Sequence, residues 1–176
     1  MRPRPFLVLA AVLSLASASA SAAAEIPPKL GIASFAQLPT PLPYPYDEAA
    51  DAAAASAAVA RAKVRAAKAH KLLLVDLGGN WCGDCRILYA TMELPEVKAF
   101  VDRHYEVVLV DVGRFDKNLQ IPAAYGITRR LEGVPALLVV DPRSNRLVDA
   151  GHVAALADAR SMTPQALADW LAQWPR

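Results

Sequence analysis

The two cysteines of this 176-residue chain, Cys82 and Cys85, are separated by only two residues. Cysteines spaced in this way can form a structural disulfide, bind a metal, remain as inert thiols or act as a redox-active dithiol. A disulfide that closes so short a loop stabilises a fold by only about 2 kcal/mol. Zinc prefers four ligands, whereas this chain offers one cysteine pair and three histidines that are isolated in the sequence. We therefore favour the redox-active dithiol, and we expect neither a metal nor a cofactor.

The position of the cysteines between two predicted elements favours the same chemistry. An apolar run at residues 71–77 predicts a buried strand, and residues 82–104 predict a helix. Cys82 would then lie at a helix N-terminus, where unpaired N–H groups and the helix dipole favour the nucleophilic thiolate. Cys85 would lie one turn later, within reach of a mixed disulfide formed on Cys82.

The remaining elements alternate between helix and strand along the chain. We predict a helix over 47–70 with Asp47 as N-cap, a strand over 105–112, a short helix over 116–125, a hairpin of 136–140 and 146–149, and a helix over 163–174. Pro95 predicts a kink in the helix at residues 82–104. This order indicates an α/β fold in which a mixed central sheet carries helices on both faces.

The net charge of +2 is confined to the start of the chain. Arg2 and Arg4 are the only charged residues before Glu25, so the other 17 basic residues balance the 17 acidic ones. A domain with balanced charge gives no electrostatic reason to expect nucleic acid or an anionic membrane as a partner.

Residues 1–24 have the features of an export signal that is removed. The two arginines precede the apolar stretch Phe6–Ala16, and Ala22–Ala24 match the small residues that precede a cleavage site. The alternative is an uncleaved anchor, but eleven apolar residues are fewer than the roughly 20 that a spanning helix needs. We expect a monomer in the periplasm that is not embedded in the membrane.

The rest of the chain divides into a short leader and one domain. Prolines crowd residues 25–46, which predicts an extended leader or linker, or alternatively a cover for an apolar face. Residues 47–176 are long enough for a single domain with its own core.

With these motifs in place, the sequence resembles the thioredoxin superfamily over about residues 47–174. The resemblance is carried by Trp81-Cys82-Gly83-Asp84-Cys85, by Asp76 at the end of the preceding strand, by Gly133-Val134-Pro135 before a later strand, and by Tyr125-Gly126-Ile127. The run Gly78–Cys85 is similar to exported bacterial members of the superfamily. The resemblance implies a thioredoxin-like fold and thiol–disulfide oxidoreductase activity.

The resemblance also implies roles for individual residues. Cys82 would attack a substrate disulfide and Cys85 would resolve the mixed disulfide, while Asp76 would handle the proton of Cys85. Pro135 would form a cis peptide bond with Val134 and face the disulfide, with the substrate main chain alongside. The other residues implied to contact substrate are Trp81, as a wall of the groove, Gly83 and Asp84.

Three departures from the thioredoxin pattern affect the predicted chemistry. Asp84 stands where proline is usual, and its carboxylate, besides being able to cap the helix, would disfavour the Cys82 thiolate. A less stable thiolate favours a reductant over an oxidant. The lysine that often partners the buried aspartate is not evident in residues 106–110. Residues 113–118 form a long connection that we predict to be a substrate or partner loop.

We therefore predict a periplasmic thiol–disulfide oxidoreductase that reduces protein or small-molecule disulfides. A reductant in this compartment would need a membrane electron donor, because the periplasm has no reducing buffer. The alternatives are a dithiol oxidase or isomerase, or a thioredoxin-fold binding module without enzymatic activity.

Overall fold

Four strands form the central sheet of the computed structural model, which describes residues 25–175. The strands are β1 (Leu72–Gly78), β2 (Tyr105–Asp111), β3 (Ala136–Asp141) and β4 (Arg146–Leu147), in the order β2-β1-β3-β4. β1 runs parallel to β2 and antiparallel to β3, and β4 is antiparallel to β3. The mixed sheet predicted from the sequence is confirmed. The predicted export signal at residues 1–24 lies outside the described residues.

Helices cover both faces of this sheet, as predicted. One face carries α1 (Ala52–Ala69) and the short α4 (Gln120–Ala123); the other carries α2 (Gly83–Met92), α3 (Pro95–His104) and α5 (Pro164–Leu171). Because strand side chains alternate between faces, Leu73 and Val75 of β1 enter the core beneath α1, whereas Leu74 enters the core beneath α2. The central strand β1 is therefore buried on both faces, and the turn that carries Cys82 begins at the end of this packed strand. None of the helices in residues 25–175 is both long and apolar enough to span a membrane.

Two predicted helix features are wrong. The N-cap of α1 is Asp51, whose carboxylate accepts a hydrogen bond from the Ala54 N–H group at 2.8 Å; Asp47 instead accepts one from Ala49 in the preceding turn. Pro95 does not kink one long helix, because α2 ends at Met92 and Pro95 begins α3. Proline lacks the N–H group that an interior position needs, but it suits the first position of a helix.

The predicted helix at 116–125 forms only as the shorter α4, because residues in the loop before it do not adopt helical backbone angles. Gly113, Phe115 and Asn118 all have positive φ angles, which a helix does not allow. The Asn118 side chain donates a hydrogen bond to the Asp111 carbonyl group at 2.8 Å, which ties the loop to the end of β2.

The C-terminal elements follow the prediction more closely. The predicted hairpin forms, but β4 ends at Leu147 because the Asp149 side chain turns back to accept a hydrogen bond from the Val139 N–H group at 3.0 Å. α5 forms within the predicted range 163–174, with Thr163 as its N-cap and Pro164 at its first position.

Residues 25–46, which we call the strap, pack against the domain. Leu38 and Tyr46 are each only 4% exposed. Arg86 of α2 donates a hydrogen bond to the Pro43 carbonyl group at 2.9 Å, and Gln165 of α5 donates one to Pro28 at 3.0 Å. The strap is therefore a fixed cover, as in the alternative considered from the sequence, and it does not extend away as a linker.

Candidate active site

Cys82 and Cys85 lie where β1 gives way to α2. The Cys82 N–H group donates to the Gly79 carbonyl group at 3.0 Å, and Cys82 itself is the N-cap of α2. Its sulfur accepts a hydrogen bond from the Cys85 backbone N–H group at 3.2 Å, so a thiol occupies the position of the usual capping oxygen. Both cysteines are free thiols. In residues 25–175 no group of three or more His, Cys, Asp or Glu side chains is placed to hold a metal ion.

The two thiols differ in acidity. A hydrogen bond with the Cys85 side chain lowers the pKa of Cys82 to about 7, against the effect of burial and with help from the Cys85 N–H group. The same side-chain bond, together with burial and the charges of Cys82 and Asp76, raises the pKa of Cys85. Cys82 is therefore the more acidic thiol, whereas Cys85 stays protonated at neutral pH unless a base takes its proton.

Asp76 is placed to be that base. Its side chain is fully buried, with Oδ1 accepting a hydrogen bond from the Tyr46 hydroxyl group at 2.9 Å. Oδ2 has no hydrogen-bond partner among residues 25–175. Burial raises the pKa of Asp76 to about 7, and the charge of Cys82 adds to this rise while the bond from Tyr46 opposes it. A carboxyl group with this pKa can exchange protons near neutral pH, which fits the role that the resemblance implies.

Tyr46 is a residue of this site that was not predicted from the sequence. The strap places it through its backbone: its N–H group donates to Asn80 Oδ1 at 3.0 Å, and its carbonyl group accepts from Asn80 Nδ2 at 2.9 Å. The one signal in the sequence that points to such a residue is indirect. Asp76 lacks the expected lysine, so a buried carboxyl group at that position needs another partner.

Glycine at position 78 makes room for the contact between Tyr46 and Asp76. A β-carbon on Gly78 would overlap the Tyr46 hydroxyl group and would lie 2.9 Å from Cys85 Sγ. The hydroxyl group and the sulfur therefore flank the same point at the end of β1. The Tyr46 hydroxyl group, the Asp76 carboxyl group and the Cys85 thiol form one buried cluster next to Cys82.

Asp84 is paired with Arg160 and does not face Cys82 as an isolated charge. The Arg160 backbone N–H group donates to Asp84 Oδ1 at 2.8 Å, and Nε donates to both carboxylate oxygens at 2.9 and 3.0 Å, with a further bond from Nη2 to Oδ2. Burial raises the pKa of Asp84, but these bonds lower it below its ordinary value. A β-carbon on Gly83 would lie 3.4 Å from Arg160 Nη2, at ordinary contact distance, so Gly83 lies directly beside this pair.

The effect of Asp84 on the nucleophile corrects one expectation. Its charge does disfavour the Cys82 thiolate, as predicted, but the hydrogen bonds from Cys85 outweigh it and the pKa of Cys82 is lowered overall. The predicted alternative that Asp84 caps α2 is also wrong, because Cys82 is the cap and Asp84 lies in the first turn.

Val134 and Pro135 lie against the nucleophile, as the resemblance implies. The peptide bond between them is cis, and the Val134 carbonyl oxygen is 3.4 Å from Cys82 Sγ. The backbone of this loop therefore borders the sulfur that would meet a substrate.

Trp81 forms a wall beside Cys82 together with the loop at residues 113–118. Trp81 is 42% exposed, and its Nε1–H group donates to the Gly113 carbonyl group at 2.7 Å. Phe115 packs edge-on against the indole ring, with the ring centroids 6.2 Å apart, and the Arg114 guanidinium group lies 4.7 Å from the indole centroid. Phe115 has a φ angle of +68°, a conformation that large side chains rarely adopt. The predicted substrate or partner loop thus lies next to the dithiol.

Known proteins share this sequence pattern and this fold. The model of a thioredoxin-like family matches residues 47–142. This chain belongs to the thioredoxin-like family. The crystal structure of a disulphide isomerase from Xylella fastidiosa Temecula1 is 37% identical, with a TM-score of 0.66, and the match covers 74% of this chain and 96% of that chain. These similarities support thiol–disulfide oxidoreductase chemistry in general.

One further solved structure is only distantly similar to this chain. A protein of unknown function from Pseudomonas aeruginosa is 23% identical, with a TM-score of 0.37, over 72% of this chain and 90% of that chain. None of the curated proteins matches the sequence.

The buried carboxyl group of Asp76 predicts that the reduced protein loses stability as the pH rises. Its pKa of about 7 in the folded protein exceeds the ordinary value of 3.8, so the folded state binds the extra proton between these values. Through this group the free energy of unfolding should fall by about 2–3 kcal/mol from pH 5 to pH 8. Asp76→Asn should remove that part of the pH dependence.

Urea unfolding at pH 5, 6.5 and 8 measures this difference between the wild type and Asp76→Asn. Asp47→Asn makes the same change at an exposed position and should follow the wild type. If Asp76→Asn and the wild type lost stability equally with pH, the carboxyl group would not carry the extra proton.

The pairing of Asp84 with Arg160 predicts that Arg160→Gln raises the pKa of Cys82 by about half a unit to one unit. Without the Arg160 guanidinium group, the Asp84 carboxylate would be unpaired and would repel the Cys82 thiolate more strongly. The pH dependence of Cys82 alkylation by iodoacetamide measures this pKa. Arg61→Gln removes the same charge from α1, across the sheet, and should have no effect. An unchanged pKa in Arg160→Gln would show that the ion pair does not influence the nucleophile.

Proposed function

We propose that the protein is an exported thiol–disulfide oxidoreductase that reduces disulfides in protein or small-molecule substrates in the periplasm. The observation that carries the proposal is the acidic Cys82 thiol at the start of α2, with a high-pKa Cys85 and a buried Asp76 behind it. This arrangement supplies a nucleophile, a resolving thiol and a proton acceptor without a cofactor or a metal. Removal of residues 1–24 and function as a monomer are part of the proposal.

The reaction begins with attack by the Cys82 thiolate on one sulfur of a substrate disulfide. A bond forms between Cys82 and that sulfur, while the other substrate sulfur leaves as a thiolate and takes a proton. Cys85 then gives its proton to Asp76 through water, and its sulfur attacks Cys82 Sγ. The bond between Cys82 and the substrate breaks, and the second substrate sulfur leaves as a thiolate that takes, through water, the proton held by Asp76. The protein ends with a Cys82–Cys85 disulfide, and two electrons and two protons have passed to the substrate.

The surroundings of Cys82 support a substrate site along Val134 and Pro135. The Val134 carbonyl oxygen lies 3.4 Å from the nucleophilic sulfur, so a strand-like substrate segment beside this loop would bring its disulfide to Cys82. The half-exposed ring of Trp81 would form one wall of that groove. Gly83 and Asp84 would border the substrate on the side of α2.

The acidity of Cys82 favours the reducing direction. In proteins of this fold, nucleophilic cysteines have pKa values of about 7 in a reductant and about 3.5 in a strong oxidant. A strongly stabilised thiolate stabilises the dithiol form and makes the couple more oxidising. Cys82, with a pKa of about 7, matches the reductant. We further propose that a membrane electron donor recharges it, because the periplasm supplies no reducing buffer.

Disulfide isomerisation is the second candidate, because the relative that is 37% identical is described as a disulphide isomerase. An isomerase rearranges disulfides without net electron transfer, so Cys82 can begin and end the cycle alone. Net reduction instead consumes both thiols. The two activities therefore differ in their need for Cys85.

The proposed mechanism predicts that Cys85→Ala accumulates mixed disulfides between Cys82 and its substrates, because attack proceeds and resolution cannot. Non-reducing electrophoresis of periplasmic fractions should show these adducts, and the double variant Cys82→Ala/Cys85→Ala should lack them. The wild type should reduce insulin with dithiothreitol as electron source. If no adduct formed and the wild type did not reduce insulin, the protein would be a binding module of this fold. Adducts found only in the cytoplasm would contradict export.

The reductant and the isomerase make opposite predictions for Cys85→Ala. A reductant loses insulin reduction and gains no ability to reactivate scrambled ribonuclease, whereas an isomerase variant with Cys82 alone still reactivates it. We expect the first result, with a reduction potential nearer to about −270 mV than to about −120 mV. Titration of the wild type against glutathione and dithiothreitol buffers measures that potential. A value near the oxidising end would overturn the reducing direction.

A further inference from the structure

We propose that Tyr46 is a positioning residue of the dithiol chemistry: the hydrogen bond from its hydroxyl group keeps Asp76 in the form that takes the proton of Cys85. The inference rests on the proposed function and names a residue outside the thiol motif that would control its resolving step.

The contact between Tyr46 and Asp76 is buried and specific. The hydroxyl group donates to Oδ1 at 2.9 Å, and no other hydrogen-bond donor reaches either carboxylate oxygen within residues 25–175. On the two sides of Asp76 in the sheet lie Leu109 of β2 and Leu137 of β3, which are apolar. Within residues 25–175, the titratable groups that interact with Asp76 are Tyr46 from the strap and the two cysteines at the start of α2.

Tyr46 is the donor in this contact whenever Asp76 is ionised. Burial, followed by the nearby charges of Asp76 and Cys85, raises the pKa of the Tyr46 hydroxyl group, so it stays protonated throughout the working range of the dithiol. A donated hydrogen bond stabilises a carboxylate more than a protonated carboxyl group. Tyr46 thus opposes the effect of burial, and it favours the ionised Asp76 that can accept a proton.

Two residues near the thiols fasten the strap and so fix the position of the Tyr46 hydroxyl group. Asn80, in the turn before Cys82, forms hydrogen bonds with both the N–H and the carbonyl group of Tyr46. Arg86, on the helix that carries Cys85, donates to Pro43 at 2.9 Å and places its guanidinium group 3.9 Å from the ring centroid of Tyr44. The segment that delivers Tyr46 is therefore fastened to the same turn and helix that carry the two thiols.

Tyr46→Phe should shift the pH dependence of the resolving step upward by about one to two units. This is the effect of removing one hydrogen bond to a charged group. At pH 7 fewer molecules would hold an ionised Asp76, so resolution should slow by about tenfold. Above about pH 9 the carboxylate would form in both proteins, and the rate of the variant should recover to that of the wild type.

The reaction of the reduced protein with a chromogenic aryl disulfide separates the two steps in a stopped-flow experiment. Attack by Cys82 releases the first coloured thiolate, and attack by Cys85 on the mixed disulfide releases the second. The rate of the second phase, measured from pH 5 to pH 10, gives the profile of the resolving step. The first phase serves as an internal measure of the nucleophile.

Tyr105→Phe is the matched control. Tyr105 is also buried, at 2% exposure, and its hydroxyl group donates to the Leu171 carbonyl group at 2.6 Å, at the opposite end of the sheet. The variant loses the same atom without touching the dithiol, so its second-phase profile should match that of the wild type. In an Asp76→Asn background, Tyr46→Phe should cause no further shift, because the group on which it acts is absent.

The outcomes separate the inference from the proposed function. A profile of Tyr46→Phe that coincides with the wild-type profile would overturn the role of Tyr46 and leave the dithiol chemistry standing. A loss of rate that is equal at every pH would also overturn it, because that would show a purely structural effect. If the wild type released no coloured thiolate at all, the proposed function itself would fail.

Discussion

A carboxyl group enclosed within the central sheet is the constraint on which the rest of the site depends. Asp76 is fully buried in β1, where an ion is unstable without partners. The neighbouring residues are arranged around this group: Gly78 leaves space, Tyr46 donates a hydrogen bond, and Cys85 lies alongside. The hydrogen bond from Tyr46 offsets the effect of burial on the Asp76 pKa only in part. Complete compensation, or a strong ion pair, would move that pKa away from the neutral range. The burial of Asp76 costs folding stability and gives a carboxyl group that can exchange protons near neutral pH beside the two thiols.

The same principle explains why two cysteines three positions apart differ so much. Cys82 caps α2, and its sulfur accepts a hydrogen bond from the Cys85 N–H group, so its thiolate is stabilised. Cys85 lies deeper, beside Asp76, where burial and negative charge oppose its ionisation. Arg160 pairs with Asp84, whose charge still disfavours the Cys82 thiolate but is outweighed by the hydrogen bonds from Cys85. The difference in acidity between the two thiols therefore follows from burial, from hydrogen bonds and from neighbouring charges.

Local patterns in the sequence predicted the order of strands and helices, because apolar runs, caps and turn residues act over a few positions. Spacing and family resemblance pointed to Cys82, Cys85 and Asp76. What could not be predicted depends on contacts between distant positions. Tyr46 meets Asp76 across 30 positions, and Arg160 meets Asp84 across 76. The prolines of the strap indicate an extended backbone, but they do not indicate which surface the strap contacts. A linker is therefore the simplest interpretation of the sequence alone.

The boundaries of the family match show where these distant contacts come from. The thioredoxin-like match spans residues 47–142, so it holds the dithiol, Asp76 and the Val134–Pro135 loop. Tyr46 lies one residue before it and Arg160 lies beyond its end, yet these two side chains contact the two carboxylates nearest the thiols. The matched segment thus contains the dithiol and both carboxylates, while the flanking segments contribute Tyr46 and Arg160, the hydrogen-bond partners of these carboxylates. Members of the family with the same thiol motif can therefore differ in acidity and potential because of residues that the motif does not contain.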